Sequence, residues 1–214
     1  FGVADAMTSN GTDVILVGRD KSALQTAETR LRGRPGIASS IACDLSSRTS
    51  VEELLVEMEQ KVQGIDILLL NGGGPPPIAA SKFDLGFWEA QYSAMFLSQI
   101  RIATHILPEM RRKRFGRVIA VSSTSVREPI AGLAASNALR AALAGWAKTL
   151  ATEVASDGVT VNLVLPGRFA TERTARLDAL DAAEKGLDQM VIAAESQREI
   201  PAGRYGSAEE FGAV

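Results

Sequence analysis

Residues 65–77 read IDILLLNGGGPPP, an apolar run followed at once by glycines and prolines. The run Ile65–Leu70 has the length and composition of a strand that is buried on both faces of a sheet. Four other runs have the same character: Asp13–Gly18, Ile37–Cys43, Arg117–Val121 and Thr160–Leu165. Helical stretches lie between these runs, so the sequence predicts an α/β fold, a doubly wound parallel sheet with helices on both faces.

The helical stretches and the loops between them can also be located. We predict helices over Lys21–Leu31, Ser46–Val62, Phe87–Lys113 and Ser136–Ser156. Asp44 or Ser46 would cap the second of these helices, and Pro108 should bend the third or mark its last turns. Gly72–Pro77 directly follows a strand, so it is predicted to be a loop at the carboxyl edge of the sheet, where ligands bind in such folds.

Composition restricts the class of protein. The 214 residues suit a single domain over 1–214, and 23 basic against 25 acidic side chains argue against binding to nucleic acid. No apolar run is long enough to span a membrane, and we expect no metal site. The single cysteine, Cys43, excludes an internal disulfide, which fits the cytoplasm. The basic run Arg111–Arg114 is interpreted as the solvated end of a helix, with a phosphate or membrane patch as the alternative.

Three further motifs occur in order along the chain: Asn71–Gly74 (NGGG), Val161–Gly167 (VNLVLPG) with Thr171, and Ile200–Gly206 (IPAGRYG) with Glu209–Glu210. With these motifs the whole chain resembles the short-chain dehydrogenase/reductase family, in particular its 3-oxoacyl-carrier-protein reductase-like branch. The resemblance implies a Rossmann-like fold and NAD(P)-dependent chemistry at a hydroxyl or carbonyl group. It also implies a first strand with a glycine-rich turn and a last strand. These lie outside the 214 residues, so we expect the chain to be part of a longer protein.

The resemblance also assigns contacts with the cofactor, one residue at a time. Gly18 takes the position of the acidic side chain that holds the ribose of NAD, and Arg19 follows it, which favours NADP(H) over NAD(H). The alternative is that Arg19 only faces solvent. Asp44, with Leu45, matches the residue that contacts the adenine, or it caps the next helix. The remaining predicted cofactor residues are Asn71, Gly72, Gly73, Arg140, Pro166, Gly167 and Thr171, the last of which could instead only cap a helix.

The catalytic side chains of the family are a serine, a tyrosine, a lysine and an asparagine, and three of these four positions are changed. Ser123 occupies the serine position, Ser136 the tyrosine position, Arg140 the lysine position and Met95 the asparagine position. A serine hydroxyl is a far weaker acid than a phenol, whose pKa is about 10. Arginine keeps the positive charge but does not titrate, and methionine cannot hold a water molecule.

Three interpretations of this site are open. The first is an active reductase that protonates its substrate through the two serines and a water held by Arg140. The second is a weak or inactive relative that binds NADP(H) or another ligand, and the third is a different reaction in the same pocket. Tyr92 and Tyr205 would be substitute acids or would only pack, and His105 is interpreted as an interface or surface residue.

The resemblance implies an assembly and a substrate region as well. The helices over residues 87–113 and 136–156 would form the interface of a homodimer or homotetramer. The second helix carries small residues that permit either close helix approach or core packing: Ala138, Ala141, Ala142, Ala144, Gly145 and Ala147. Residues 170–200 are predicted to be a pair of surface helices, either a substrate lid or ordinary surface structure. The expected substrate is a small molecule or an acyl thioester.

Overall fold

Strands and helices alternate along the chain in the computed structural model, which describes residues 1–214. The five strands are β1 (Val14–Gly18), β2 (Ala38–Ala42), β3 (Ile67–Leu70), β4 (Gly116–Val121) and β5 (Val159–Val164). The nine α-helices are α1 (Gly2–Ser9), α2 (Lys21–Leu31), α3 (Arg48–Lys61), α4 (Leu85–Tyr92), α5 (Ser98–Lys113), α6 (Ala134–Val154), α7 (Glu172–Lys185), α8 (Gln189–Arg198) and α9 (Ala208–Gly212). Each strand lies within two residues of a predicted run, because runs of this short length are typical of strands rather than helices.

The strands pair in parallel. β3, β4 and β5 form one sheet in that order, with Leu70 beside Ala120 in the register of the first pair. β1 and β2 form a separate two-stranded sheet. These pairings and the intervening helices confirm the predicted α/β fold.

Contacts divide the chain into two compact units that interleave in sequence. The first unit comprises Phe1–Leu16, Gln25–Ser39 and Pro166–Val214, and the second comprises Val17–Leu24 and Ser40–Leu165. Within the first unit, α1 packs against α9 and α7 packs against α8. The single domain over 1–214 stays a prediction.

The core of the second unit lies between the three-stranded sheet and its helices. α5 packs on β4, α6 packs on β5, and α3 packs on α5. Alternate residues of β4 are buried, as the two-residue repeat of a strand requires when one face meets a helix. The most deeply buried apolar side chains of this unit include Val51, Met110, Val118, Leu143 and Val154.

The helix predicted over residues 87–113 is interrupted. α4 ends at Tyr92, a π-helical turn spans Ser93–Leu97, and α5 then continues to Lys113 with Pro108 inside its last two turns. The Ser98 N–H donates to the Ser93 carbonyl, which is the i→i+5 spacing of a π-helix. A single wider turn leaves the apolar periodicity of a helix almost unchanged, so the sequence did not predict the π-helical turn.

The predicted cap of α3 is wrong. The Ser47 hydroxyl, rather than Asp44 or Ser46, accepts the N-terminal hydrogen bond of this helix, from the Ser50 N–H at 3.3 Å. Asp44 instead accepts from Ser46 in the turn that precedes the helix. Adjacent serines and an aspartate compete for such a cap, and their order in the sequence does not decide between them.

The polar segment over residues 170–200 forms α7 and α8, the predicted pair of helices. Arg111–Arg114 closes α5 as predicted, and Arg111 pairs with Asp157 at 2.6 Å at the protein surface. None of the helices combines the length and the apolar character needed to span a lipid bilayer.

Candidate functional site

Arg140 connects the carboxyl ends of two neighbouring strands. It lies on α6, and its Nη1 donates to the carbonyls of Val121 and Ser122, both at 2.9 Å. Its Nη2 donates to the Gly73 carbonyl at 2.7 Å. A planar guanidinium can serve several carbonyls at once, whereas a lysine ammonium cannot match this geometry. The cation is therefore fixed at the edge of the sheet where ligands bind in doubly wound folds.

The two predicted catalytic serines flank this arginine. Ser136, one turn before Arg140 on α6, is buried, and its Oγ accepts from the Arg140 Nε at 3.3 Å. Ser123 lies just beyond β4, and its Oγ accepts from the Ser125 N–H at 3.1 Å, beginning a short 3₁₀ turn. The structure thus brings Ser136, Arg140 and the Ser122–Ser123 segment together, as predicted from their positions in the sequence.

The loop after β3 contains two glycines that are needed for different reasons. Gly73 has φ +75°, in the left-handed region that favours glycine. Gly72 is needed for space, because a Cβ there would lie 2.4 Å from the Gln99 Nε2 and 2.9 Å from the Ala94 carbonyl oxygen. Asn71, immediately before them, is exposed. The close neighbours of Gly72 are therefore the π-helical turn and α5, and its contact with a cofactor stays a prediction.

Met95, at the position of the expected asparagine, lies in the π-helical turn and is buried. Gln99, one turn later, is buried as well, and its Nε2 donates to the Met95 carbonyl at 2.6 Å. Three buried polar atoms in this region accept or donate no hydrogen bond: Gln99 Oε1, Ser122 Oγ and Ser125 Oγ. The sequence did not single out these side chains, since neither spacing nor motif marks them.

Arg19 and Asp44 are the predicted contacts with the adenosine half of a cofactor, and the charge of Arg19 acts on Asp44. Hydrogen bonds from the Ser46 backbone and hydroxyl, at 2.9 and 2.8 Å, lower the pKa of Asp44 below its ordinary value, and the positive charge of Arg19 adds to this effect. The next residue, Leu45, offers its carbonyl to the Ser98 hydroxyl of α5 at 2.7 Å. An exposed cation and an ionised carboxylate suit a nucleotide with phosphate and hydroxyl groups.

Three predicted cofactor residues belong to the first unit. Pro166 is half-buried and Gly167 is exposed; both follow Leu165, the first residue after β5. Thr171 caps α7 by accepting from the Thr174 N–H at 3.3 Å. The helix-capping alternative is therefore observed for Thr171.

A buried carboxylate in the first unit was not predicted. Asp178, on α7, is 2% exposed, accepts from the Tyr205 hydroxyl at 2.9 Å and lies 3.4 Å from the Arg168 guanidinium. Arg168 also donates to Ser196 of α8 at 2.7 Å. This cluster joins both helices of the 170–200 segment to the segments that precede and follow it. Tyr205, considered as a substitute acid, therefore has its hydroxyl bound to Asp178.

The two remaining candidates have packing or surface positions. Tyr92 stacks on Phe96 with 5.5 Å between ring centroids. His105 lies on α5 with its Nε2 2.9 Å from Glu59 Oε1 of α3. Both positions agree with the alternatives to catalysis that the sequence suggested.

Comparison with known proteins gives a consistent assignment. Residues 1–181 match the family model described as short chain dehydrogenase. The chain is 28% identical over 213 residues to 3-oxoacyl-[acyl-carrier-protein] reductase FabG of Aquifex aeolicus, covering 99% of this chain and 82% of that protein.

Solved structures show the same fold. L-sorbose reductase from Gluconobacter frateurii, complexed with NADPH and L-sorbose, has a TM-score of 0.90 at 24% identity, covering 99% of this chain and 81% of that one. An NADPH-bound short chain oxidoreductase from Pseudomonas aeruginosa PAO1 containing an atypical catalytic center has a TM-score of 0.81, also at 24% identity with 99% and 81% covered. NAD⁺-bound xylitol dehydrogenase has a TM-score of 0.88 at 22% identity, with 100% and 85% covered.

Proposed function

The chain belongs to the short chain dehydrogenase family of oxidoreductases, and on that premise we propose that it transfers a hydride between NADP(H) and a carbonyl or hydroxyl substrate resembling a 3-oxoacyl thioester. The observation that carries this proposal is the fixed cation of Arg140, within 2.7–2.9 Å of three carbonyls at the ends of β3 and β4. It lies beside Ser136 and next to the segment that bears Ser123.

The preference for NADP(H) is supported by Arg19. This arginine is exposed and directly follows Gly18, which occupies the position where an acidic residue would favour NAD. Two of the structural relatives above were solved with NADPH and one with NAD⁺, so the proposal rests on the arginine itself. We also propose that Asp44, Leu45, Asn71, Gly72 and Gly73 of the second unit line the cofactor site. Pro166, Gly167 and Thr171, in the first unit, stay predicted cofactor residues.

The proposed reduction adds a hydride to the carbonyl carbon and a proton to its oxygen. Bound NADPH would supply the hydride. The Ser123 hydroxyl would donate a hydrogen bond to the substrate oxygen, and the charge of Arg140 would stabilise the negative charge that develops there. Ser136 is too weak an acid to replace a phenol, so its role is to hold Arg140 through the Nε contact. The proton would then come from water.

A second function, a binding module for NADP(H) or another ligand with little or no turnover, is favoured by one observation. The hydrogen bonds of Arg140 to Ser136 and to three carbonyls engage its guanidinium with the protein itself. In this interpretation Arg140 is a structural clamp: the site has the geometry of the family but does not catalyse hydride transfer.

NADPH oxidation by the purified protein, with a panel of 3-oxoacyl thioesters, ketones and quinones, separates the two functions. Turnover with any of them supports the oxidoreductase. NADPH binding without turnover supports the binding module. The double variant Ser136→Tyr/Arg140→Lys adds a second comparison: a gain in rate of about 10²-fold or more would indicate that only proton delivery has been lost. No gain would indicate that the pocket serves a different chemistry.

We further propose a homodimer or homotetramer in the cytoplasm, with the helices over residues 87–113 and 136–156 at its interface. Ala138, Ala141, Ala142 and Gly145 are exposed, whereas Ala144 and Ala147 are buried in the core. The exposed four recur at the i, i+3, i+4, i+7 spacing of one helix face, which suits close packing against a second helix. Sedimentation of wild type and Ala142→Glu tests this assembly, and a monomeric wild type would contradict it.

The α7–α8 segment is proposed as the substrate lid.

A further inference from the structure

A cavity of about 380 Å³ opens in the loop between β4 and α6. Five consecutive or near-consecutive residues line it: Thr124, Arg127, Glu128, Pro129 and Ile130. Pockets that bind small ligands have volumes of about 300–1,000 Å³, so this cavity suits a small molecule. Thr124 directly follows Ser123, whose hydroxyl faces the substrate oxygen in the proposed reduction. The cavity therefore adjoins the place where the substrate carbonyl would lie.

Hydrogen bonds fix both ends of this loop. Near its start, the Arg127 N–H donates to the Thr124 carbonyl at 2.9 Å. Near its end, the Asn137 side chain on α6 donates to the Ile130 carbonyl at 2.8 Å and accepts from the Ile130 N–H at 3.4 Å. Asn137 directly follows Ser136. The loop that forms the cavity is thus held beside the candidate site by contacts within the second unit.

Arg127 brings an uncompensated positive charge to this cavity. Its side chain is exposed and forms no hydrogen bond or ion pair with the protein. A guanidinium presents a planar fork of N–H donors that matches both oxygens of a carboxylate. Glu128 lines the same cavity without pairing with Arg127. Because Glu128 is exposed, water and salt screen its repulsion of an anion, whereas Arg127 can bond to the anion directly.

We propose that Arg127 binds the carboxylate of a small 3-oxo acid whose carbonyl oxygen lies at Ser123. This inference names the substrate class and rests on the proposed reductase function. A 3-oxo acid has the 3-oxo group of the thioester but a free carboxylate in place of the thioester. The hydride and the proton add to the 3-oxo group and give a 3-hydroxy acid, while the carboxylate stays unchanged. The phosphates of a thioester carrier lie at the far end of a long arm, beyond a cavity of this size.

Binding measurements test the carboxylate site without any requirement for turnover. We would titrate 3-hydroxyhexanoate and its methyl ester into the protein by calorimetry, with and without NADPH. No reaction can occur, because the hydroxy acid and NADPH are both reduced. We expect the acid to bind more tightly than the ester, and Arg127→Gln to weaken binding of the acid about 10-fold with no effect on the ester. Failure of the acid to bind, or equal affinity of wild type and Arg127→Gln for it, would overturn the proposal.

Kinetics with 3-oxohexanoate test the sign of the charge that the cavity recognises. Arg127→Gln should raise the KM for this acid about 10-fold. Arg127→Lys keeps the charge without the fork and should raise the KM less. Glu128→Gln removes a repulsion and should lower the KM about 2-fold. Arg48→Gln, whose side chain is 86% exposed on α3, controls for the loss of one positive charge.

Other substrates separate this proposal from its competitors. The KM for the methyl ester of 3-oxohexanoate should not respond to either charge variant. If Arg127→Gln impairs only the coenzyme A thioester, the arginine binds a carrier phosphate and the proposal is wrong. A higher KM for the acid in Glu128→Gln would point to a cationic substrate and would also refute it. Absence of turnover with every substrate would refute the reductase, while the calorimetric result would still decide whether Arg127 binds a carboxylate.

Discussion

The Arg140 Nη2 donates to the Gly73 carbonyl at 2.7 Å and so joins helix α6 to the loop that follows β3. The same guanidinium binds the carbonyls at the end of β4. Through one side chain, three elements of the second unit are held in a fixed arrangement. Arg140 therefore has a structural role in addition to any effect of its charge on a substrate.

Replacement of Arg140 by lysine should destabilise the protein. A lysine keeps the charge but cannot serve three carbonyls and Ser136 at once, and hydrogen bonds to charged groups contribute about 1.5–3 kcal/mol each. We expect Arg140→Lys to lower the free energy of unfolding by about 2 kcal/mol, measured by urea denaturation. Arg127→Lys, at an exposed position, is the matched control and should be neutral. Equal stability of the two variants would refute the clamp.

Gly72→Ala should be harmful because of space rather than backbone conformation. The added methyl group would approach the Gln99 Nε2 to 2.4 Å and the Ala94 carbonyl oxygen to 2.9 Å. Overpacking of this kind costs about 1–3 kcal/mol. Thermal unfolding of Gly72→Ala and of Gly86→Ala measures the difference, since Gly86 has room for a methyl group. Gln99→Ala, introduced as a second change, should recover only part of the loss. Full tolerance of Gly72→Ala would show that α5 does not approach this loop closely.

Asp178 should be needed to hold the α7–α8 segment in place. Its buried carboxylate accepts from Tyr205 and contacts Arg168. Asp178→Asn removes the charge at nearly constant size, and we expect a loss of about 2 kcal/mol and faster proteolysis within residues 170–200. Glu184→Gln, on an exposed face of the same helix, controls for the loss of one negative charge. Identical cleavage rates for the two variants would argue against a positioning role.

Ser207 and Glu210 form a capping box at the N-terminus of α9, and this pair should contribute to acid sensitivity. Hydrogen bonds from Arg204, followed by one from the Ser207 N–H, lower the pKa of Glu210 to about 2. Because this pKa lies below the unfolded value of about 4.3, the stabilisation is complete above pH ~4.3 and is lost as the pH falls towards ~2. Glu210→Gln should therefore flatten the fall in melting temperature over this range. The effect should be small, since both side chains are about half exposed. If the melting temperatures of wild type and variant fall equally between pH ~4.3 and ~2, the Arg204–Glu210 pair does not contribute to stability.

Much of the fold follows from the sequence, and the reasons for the exceptions are physical. Runs such as Ile65–Leu70 have the length and composition of strands, so all five strands were predicted to within two residues. The burial predicted for both faces of this strand was wrong, because Ile67, Leu68 and Leu69 are only half-buried. The π-helical turn at Ser93–Leu97 was missed because one additional residue barely changes the apolar pattern of a helix. The capping serine of α3 was missed because several capping residues stand side by side.

The sequence predicted which residues form the candidate site, but not the hydrogen bonds that these residues make. The resemblance to the family was enough to expect Ser123, Ser136 and Arg140 near one another. It could not show that the guanidinium binds backbone carbonyls, because those bonds depend on how α6 packs on the sheet. The partnership of Asp178 with Tyr205 joins residues that are 27 positions apart and share no motif. The missing partners of Gln99 and Ser122 can be seen only once both side chains are buried.

The π-helical turn at Ser93–Leu97 also makes this helix sensitive to changes in length. A π turn holds one residue more than an α-helix would place in the same rise, and each residue of an α-helix accounts for about 100° of rotation. Deletion of one residue within the turn would let the backbone close into a continuous α-helix. Every side chain of α4 would then rotate by about a quarter of a turn relative to α5. Substitutions in this turn should therefore be accommodated more readily than deletions.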